Sequence, residues 1–326
     1  SLIATQIQRM CNPHRRNAKR DDNHSYTPAM TDLVARRHSD TFTDREAIGR
    51  VITGLTLVAV FWAISWLRLQ PASDYYFFPL WFGYILAVDG LVALRTGTSP
   101  IQRDGWRVGW LFVISIPLWW LFESINEVVG NWRYQTPARY TASEYALLAS
   151  LAFSTVVPAV LTTTEFVRSF RLDPLRRLPR IEPTPALLLG VHLTGWLMIA
   201  VTLIWPSIFF PLVWISVVFL LDPIATWLGG RSLASFIGRG DWTPLFNIAA
   251  GTLICGWFWE MWNIYSMPKW TYSIPYADYG HVFEMPILGF GGYIPFGCEV
   301  YLFTLVARRL LPWLRAPDTR VSKQTD

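Results

Sequence analysis

Five acidic side chains stand within or at the ends of long apolar runs: Asp89, Glu123, Asp222, Glu260 and Glu299. An ionisable group at the centre of a bilayer costs roughly 2.5–3.5 kcal/mol on insertion scales. Each of these must therefore face a protein interior, find a partner, stay protonated or lie near an interface. Glu123 and Asn126 are three residues apart and share one helical face, as do Glu260 and Asn263. Two such carboxyls converging on one apolar cavity would hold a single proton between them, because close like charges do not both ionise cheaply. That is the state general-acid chemistry needs. Glu123, Glu260, Asn126, Asn263 and Glu299 are thus the candidate catalytic set. Tryptophans crowd the same stretches at Trp119, Trp120, Trp257, Trp259 and Trp262, and the loop beyond holds Trp270 and Tyr272. An indole face stabilises a cation by roughly 0.5–2 kcal/mol. Trp119, Trp120, Trp259, Trp262, Trp270 and Tyr272 are the candidate ligand-binding wall. The plainer alternative is polar glue between helices, with aromatic residues in an interfacial belt.

Residues 283–297, from Phe283 to Gly297, hold four glycines and two prolines ahead of Glu299. That composition makes a poor regular helix, and irregular backbone in a membrane is tolerated only against protein or a cavity. The stretch is a pointer to a binding site, or else a kinked helix with small residues for close packing. Asp89 and Asp222 lie where an Arg of the following loop could pair with them. Metal and haem chemistry is not indicated: His14, His24 and His38 are scattered with Cys11, only His192 lies in a span, and Asp278, His281 and Glu284 have weak spacing. No phosphate-binding loop, nucleophile elbow or zinc-protease motif is present. No protein-borne cofactor is expected; a bound lipid or carotenoid is compatible.

The elements that must position these side chains are membrane spans. Apolar residues make up 52% of the 326-residue chain and charged residues 16%, against about 25% charged in a typical soluble domain. Eighteen Trp and twenty Phe exceed what one ordinary core uses. Eight apolar runs of spanning length are read at 51–68, 77–95, 106–124, 144–164, 185–204, 208–228, 244–264 and 286–307. Trp205-Pro206-Ser207 predicts a tight turn between the fifth and sixth. With the N-terminus inside, 24 of the 28 Lys and Arg fall on the inner side and four on the outer, which sets the orientation by the positive-inside rule. Both termini are expected in the cytoplasm. The basic 1–50 segment reads as a cytoplasmic tail that meets anionic lipid or docks on other membrane subunits, not as a nucleic-acid site. The first span follows that tail and is not a cleavable signal. Cys11, Cys255 and Cys298 avoid the outer loops, so no disulfide framework is expected.

The chain also repeats itself. Phe77-Phe78-Pro79-Leu80 recurs as Phe209-Phe210-Pro211-Leu212, and Asp89 as Asp222. Arg103-Asp104-Gly105-Trp106 is answered by Arg239-Gly240-Asp241-Trp242, Glu123-x-x-Asn126 by Glu260-x-x-Asn263, and Trp132-x-Tyr134 by Trp270-x-Tyr272. The offsets drift from 132 to 138 in order along the chain, as small insertions produce. The reading is an all-α integral membrane protein of about eight spans. They form two tandem repeats of four with parallel topology, 51–165 and 185–310, joined by a cytoplasmic linker at 166–184 and ending in a tail at 311–326. The repeats would be related by an axis along the membrane normal.

A Glu-x-x-Asn at a span end, a Trp-x-Tyr in the outer loop and a further acid beside prolines resemble a family of polytopic bacterial membrane proteins. They also loosely resemble the lycopene-cyclase-type carotenoid cyclases and hydratases, over about 30 residues of each repeat. That family's Pro-x-Glu-Glu signature is only echoed here, as Pro295-Phe296-Gly297-Cys298-Glu299. The resemblance implies residence in a bacterial inner membrane and cofactor-free acid–base chemistry on an isoprenoid, in which a carboxylic acid protonates a polyene and aromatic faces shield the cation.

Three classes of function follow. One is an enzyme or binder acting on a long apolar isoprenoid or lipid. The second is an accessory or scaffold subunit of a larger, energy-transducing membrane complex. The third is a proton-coupled transporter. The first needs Glu123 and Glu260 within reach of one cavity. The second needs those acids merely capped, and the third needs a path from Asp89 or Asp222 to them.

Overall fold

The computed structural model describes residues 28–136, 140–171 and 178–311, with side chains from Asp44 onward. The chain forms two compact units, Ser1–Thr41 and Phe42–Asp326, and the second carries everything below. Most of the basic tail, the 166–184 linker's central residues 172–177 and the 311–326 tail beyond Leu311 lie outside the described residues, as do Cys11, His14 and His24.

The chain is predominantly helical, and seven helical stretches are long and apolar enough to cross a membrane. Helix α1 (Pro28–Trp66) is followed by α2 (Phe77–Thr96), the short α3 (Pro100–Asp104) and α4 (Gly109–Val129). Strand β1 (Trp132–Gln135) leads to α5 (Ala142–Phe153) and α6 (Val156–Arg168), which together make one spanning stretch. Then come α7 (Pro185–Ile204), the turn α8 (Pro206–Phe209), α9 (Val213–Trp227), α10 (Leu233–Ile237) and α11 (Thr243–Asn263). Strands β2 (Lys269–Tyr272), β3 (His281–Val282) and β4 (Met285–Pro286) precede α12 (Tyr293–Leu310). The expected span at 244–264 is a 21-residue helix, α11. It falls outside the seven because Asn247, Glu260 and Asn263 lower its apolarity. All three are buried, for α11 packs against α6 and α12.

Local chemistry sets the boundaries. Gly97 and Gly130 close α2 and α4 in the left-handed conformation, which glycine adopts without a Cβ penalty. Ser99 and Thr184 cap α3 and α7 ahead of a proline, and Thr141 and Glu144 form a capping box on α5. Helices α1 and α2 meet through small residues: a Cβ on Gly54 would lie 2.8 Å from Ala87 Cβ, the close approach that substitutes for hydrophobic drive in lipid. Lipid-side faces are apolar, with Leu197 and Trp196 on α7 well exposed.

The two loops carrying Trp-x-Tyr pair with each other. β1 and β2 are antiparallel, with Trp132 opposite Tyr272 and Tyr134 opposite Trp270. Residues 283–297 are not one broken helix but a β3–β4 hairpin and a 3-10 turn (Ile287–Gly292), with α12 opening at Tyr293.

Candidate active site

The two Glu-x-x-Asn pairs make the same arrangement at the β1–β2 end of the bundle. Asn126 donates through Nδ2 to the Trp132 carbonyl at 2.8 Å and accepts from the Asn131 and Trp132 amides. Asn263 donates to the Trp270 carbonyl at 2.7 Å and accepts from the Trp270 amide at 2.9 Å. Each Asn therefore straps a strand to the end of its own helix. These two residues are positioning groups and contact no cavity.

The carboxyls sit one layer further in. Glu123 Oε1 accepts from Trp119 Nε1 (2.7 Å), Tyr134 OH (2.7 Å) and Trp132 Nε1 (3.1 Å). Glu260 Oε1 accepts from Tyr272 OH (2.7 Å) and Tyr293 OH (2.6 Å), and its Oε2 is buried without a partner. Trp270 Nε1 donates onward to Tyr272 OH at 2.9 Å. Burial and the neighbouring carboxyls push the phenols of Tyr134 and Tyr272 well above the ordinary tyrosine value, so both remain donors.

One difference between the two halves explains a residue that spacing arguments miss. The position four before Glu123 is Trp119, whose indole reaches the acid across one helical turn. The position four before Glu260 is Gly256, and its missing side chain admits the Tyr293 ring: a Cβ there would lie within 2.8 Å of three ring atoms. Tyr293, from α12, takes up the vacated donor role.

All five donors line one cavity of about 190 Å³. Trp119, Trp132 and Tyr134 line it together with Trp270, Tyr272 and Tyr293, as do Trp214, Trp259 and Phe296, Phe77 and Phe78, and Leu148, Leu151 and Phe153. Met285, Gly289 and Gly292 bring the 283–297 stretch to the cavity. Glu123 and Glu260 do not line it; they stand behind its phenols and indoles. Lys269 lines it but is engaged by Glu284 and the Ile264 carbonyl.

No family model matches the chain, and neither a curated protein nor a solved structure does.

The other expected residues are placed elsewhere. Trp120 turns away to donate to Ser150 Oγ at 3.0 Å. Trp262 packs on Trp81 and Phe258 outside the cavity, and the exposed Trp257 lies edge-on to Phe283. Glu299 is fully buried with neither oxygen partnered and does not line the cavity. Among the described residues neither Asp89 nor Asp222 forms the expected ion pair with an Arg of its following loop. Asp222 accepts from the Leu233 and Ala234 amides at the start of α10, and Asp89 from Ile101 N and Ser99 Oγ at the start of α3. Arg50 of α1 adds an ion pair to Asp89 at 3.1 Å. Serine caps ten residues after each Asp were the signal available for this. Asp278 and His281 pair at 3.0 Å on the surface. Among the described residues no group of three His, Cys, Asp or Glu could hold a metal ion.

Proposed function

We propose that this protein holds a long apolar molecule, an isoprenoid or a lipid, in the aromatic cavity at the β1–β2 end. The observation that carries the reading is that one cavity gathers the indole and phenol donors of both carboxyls together with Trp214, Trp259 and Phe296. Pockets for apolar ligands have this make-up, mostly apolar walls and a few convergent polar groups. On this reading Glu123 and Glu260 fix the orientation of the rings.

The architecture belongs to the same proposal. Eight spans are counted with α11 as the seventh, in two repeats of four, with the β1–β2 end outside and both termini in the cytoplasm of a bacterial inner membrane. Support comes from the matched Asn straps, the matched Asp caps and the Lys and Arg distribution. A transporter finds less support, because Asp89 and Asp222 are spent on helix starts. A scaffold subunit would show stoichiometric partner chains and an empty cavity.

The test is purification in mild detergent, solvent extraction and mass spectrometry of everything retained. The wild-type chain is expected to carry about one apolar molecule. Gly292→Leu is expected to lose it: a Cβ at Gly292 meets Trp214 at an ordinary 3.6 Å, so a larger side chain fills the cavity without backbone strain. Retention of the molecule at full occupancy by that variant, or its absence from the wild type, would overturn the reading.

A further inference from the structure

We infer that the occupant is an amphiphile with a cationic, alkylammonium-type head, held among the rings in front of Glu123 and Glu260, with its tail leaving past α5. This rests on the binding reading above and specifies its ligand. Three observations carry it.

The first is the charge inventory. The partners of Glu123 and Glu260 are indoles and phenols, all neutral. Two carboxyl groups thus flank the cavity with no Lys or Arg on either among the described residues. Lys269, the cation that lines the space, is spent on Glu284. A ligand that brings its own positive charge completes the balance; an anionic one meets two acids.

The second is the kind of surface offered. Trp119, Trp132, Trp214, Trp259 and Trp270 all line the cavity. Ring faces attract a cation through their quadrupole, more so when water is excluded, and quaternary ammonium is the class such cages select. A small hard cation instead needs several oxygen ligands, and the phenols of Tyr134, Tyr272 and Tyr293 are already bonded to the acids.

The third is the exit. Leu148, Ala149, Leu151 and Ala152 of α5 line the cavity, and Leu151 is 41% exposed beside Leu147 at 70%. On a helix of spanning apolarity those faces meet lipid tails, so a chain leaving the cavity there stays in an apolar medium.

The experiment uses the full chain in maltoside micelles, with tryptophan fluorescence titrated by decyltrimethylammonium, decyl glucoside and decyl sulfate. The cationic probe is expected to bind about tenfold or more tighter than the glucoside, about 1.4 kcal/mol, and the sulfate weakest. In the Glu123→Gln/Glu260→Gln variant the cationic and neutral probes are expected within about threefold. The wild-type comparison alone decides the matter should that variant fail to fold. Equal binding of cationic and neutral probes, or preference for the sulfate, overturns this inference and leaves the binding reading standing. No saturable binding of any probe overturns both.

Discussion

Gly256→Ala should break the donor set on Glu260 from a distance. The added methyl would lie within 2.8 Å of three Tyr293 ring atoms, so the ring must retreat by about 1 Å for its nearest atom to reach an ordinary carbon contact near 3.4 Å. It has little room, being stacked on Trp259 at 5.9 Å and edge-packed by Phe290 at 5.9 Å. Retreat also draws the hydroxyl off Glu260, now 2.6 Å away. Overpacking costs about 1–3 kcal/mol, and a hydrogen bond to a charged group contributes about 1.5–3 kcal/mol. The single variant should lose about 3–5 kcal/mol, read as the unfolding free energy in mixed micelles. The decisive assay is the cycle with Tyr293→Ala. With the ring gone, the methyl has open space and Gly256→Ala should cost under about 1 kcal/mol. A cost that persists in the Tyr293→Ala background would refute the argument that the glycine exists to admit that ring.

Asn263→Ala removes a fully buried side chain that bonds the Trp270 amide and carbonyl and should cost about 2–4 kcal/mol, whereas the half-buried Asn126, which water can partly replace, should cost about 1–2 kcal/mol; equal losses in the same unfolding assay would contradict the ranking. Glu299→Met replaces a buried carboxyl that lacks any hydrogen-bond partner and should stabilise the fold by about 1–3 kcal/mol, and a clear loss of stability would show that the carboxyl is paired. Tyr134 and Tyr272 keep their protons above the ordinary phenol value near 10. Their contribution to stability should be complete below that value and decline as pH rises through the raised ones, so a Tyr134→Phe difference spectrum showing ordinary tyrosinate titration would count against it.

The helices were legible because a spanning run needs only composition, and α11 was legible too despite its buried Asn247, Glu260 and Asn263. The Glu-x-x-Asn spacing placed each pair on one helix face near the helix end, yet it did not separate the roles within each pair. Both members share a face, but Asn126 and Asn263 reach the strand backbone while the acids reach ring hydroxyls. Neighbours in sequence misled where helix geometry decides: Trp119, one turn back, reaches Glu123, while Trp120 next to it faces Ser150. Tyr293 was invisible to spacing because its partner lies 33 residues earlier and its access depends on Gly256. Only the packing of α12 on α11 brings them together.

The aromatic base of the cavity shows why both halves of the chain are needed for one site. Trp81, near the start of α2, packs on Trp259 of α11 at 5.0 Å. Trp214, near the start of α9, stacks on Phe122 of α4 at 5.4 Å. Trp81 directly follows the first Phe-Phe-Pro-Leu block and Trp214 stands two residues after the second, and Phe122 and Trp259 each directly precede the key Glu. Each half therefore places its indole against the other half's acid-bearing helix, a reciprocal exchange of the kind a two-fold interface makes. The β1–β2 pair repeats the exchange, setting each half's Trp opposite the other's Tyr. Trp119 in one half and Gly256 with Tyr293 in the other give the two carboxyls unlike donor sets. For the proposed ligand, that difference would favour one orientation over the reverse.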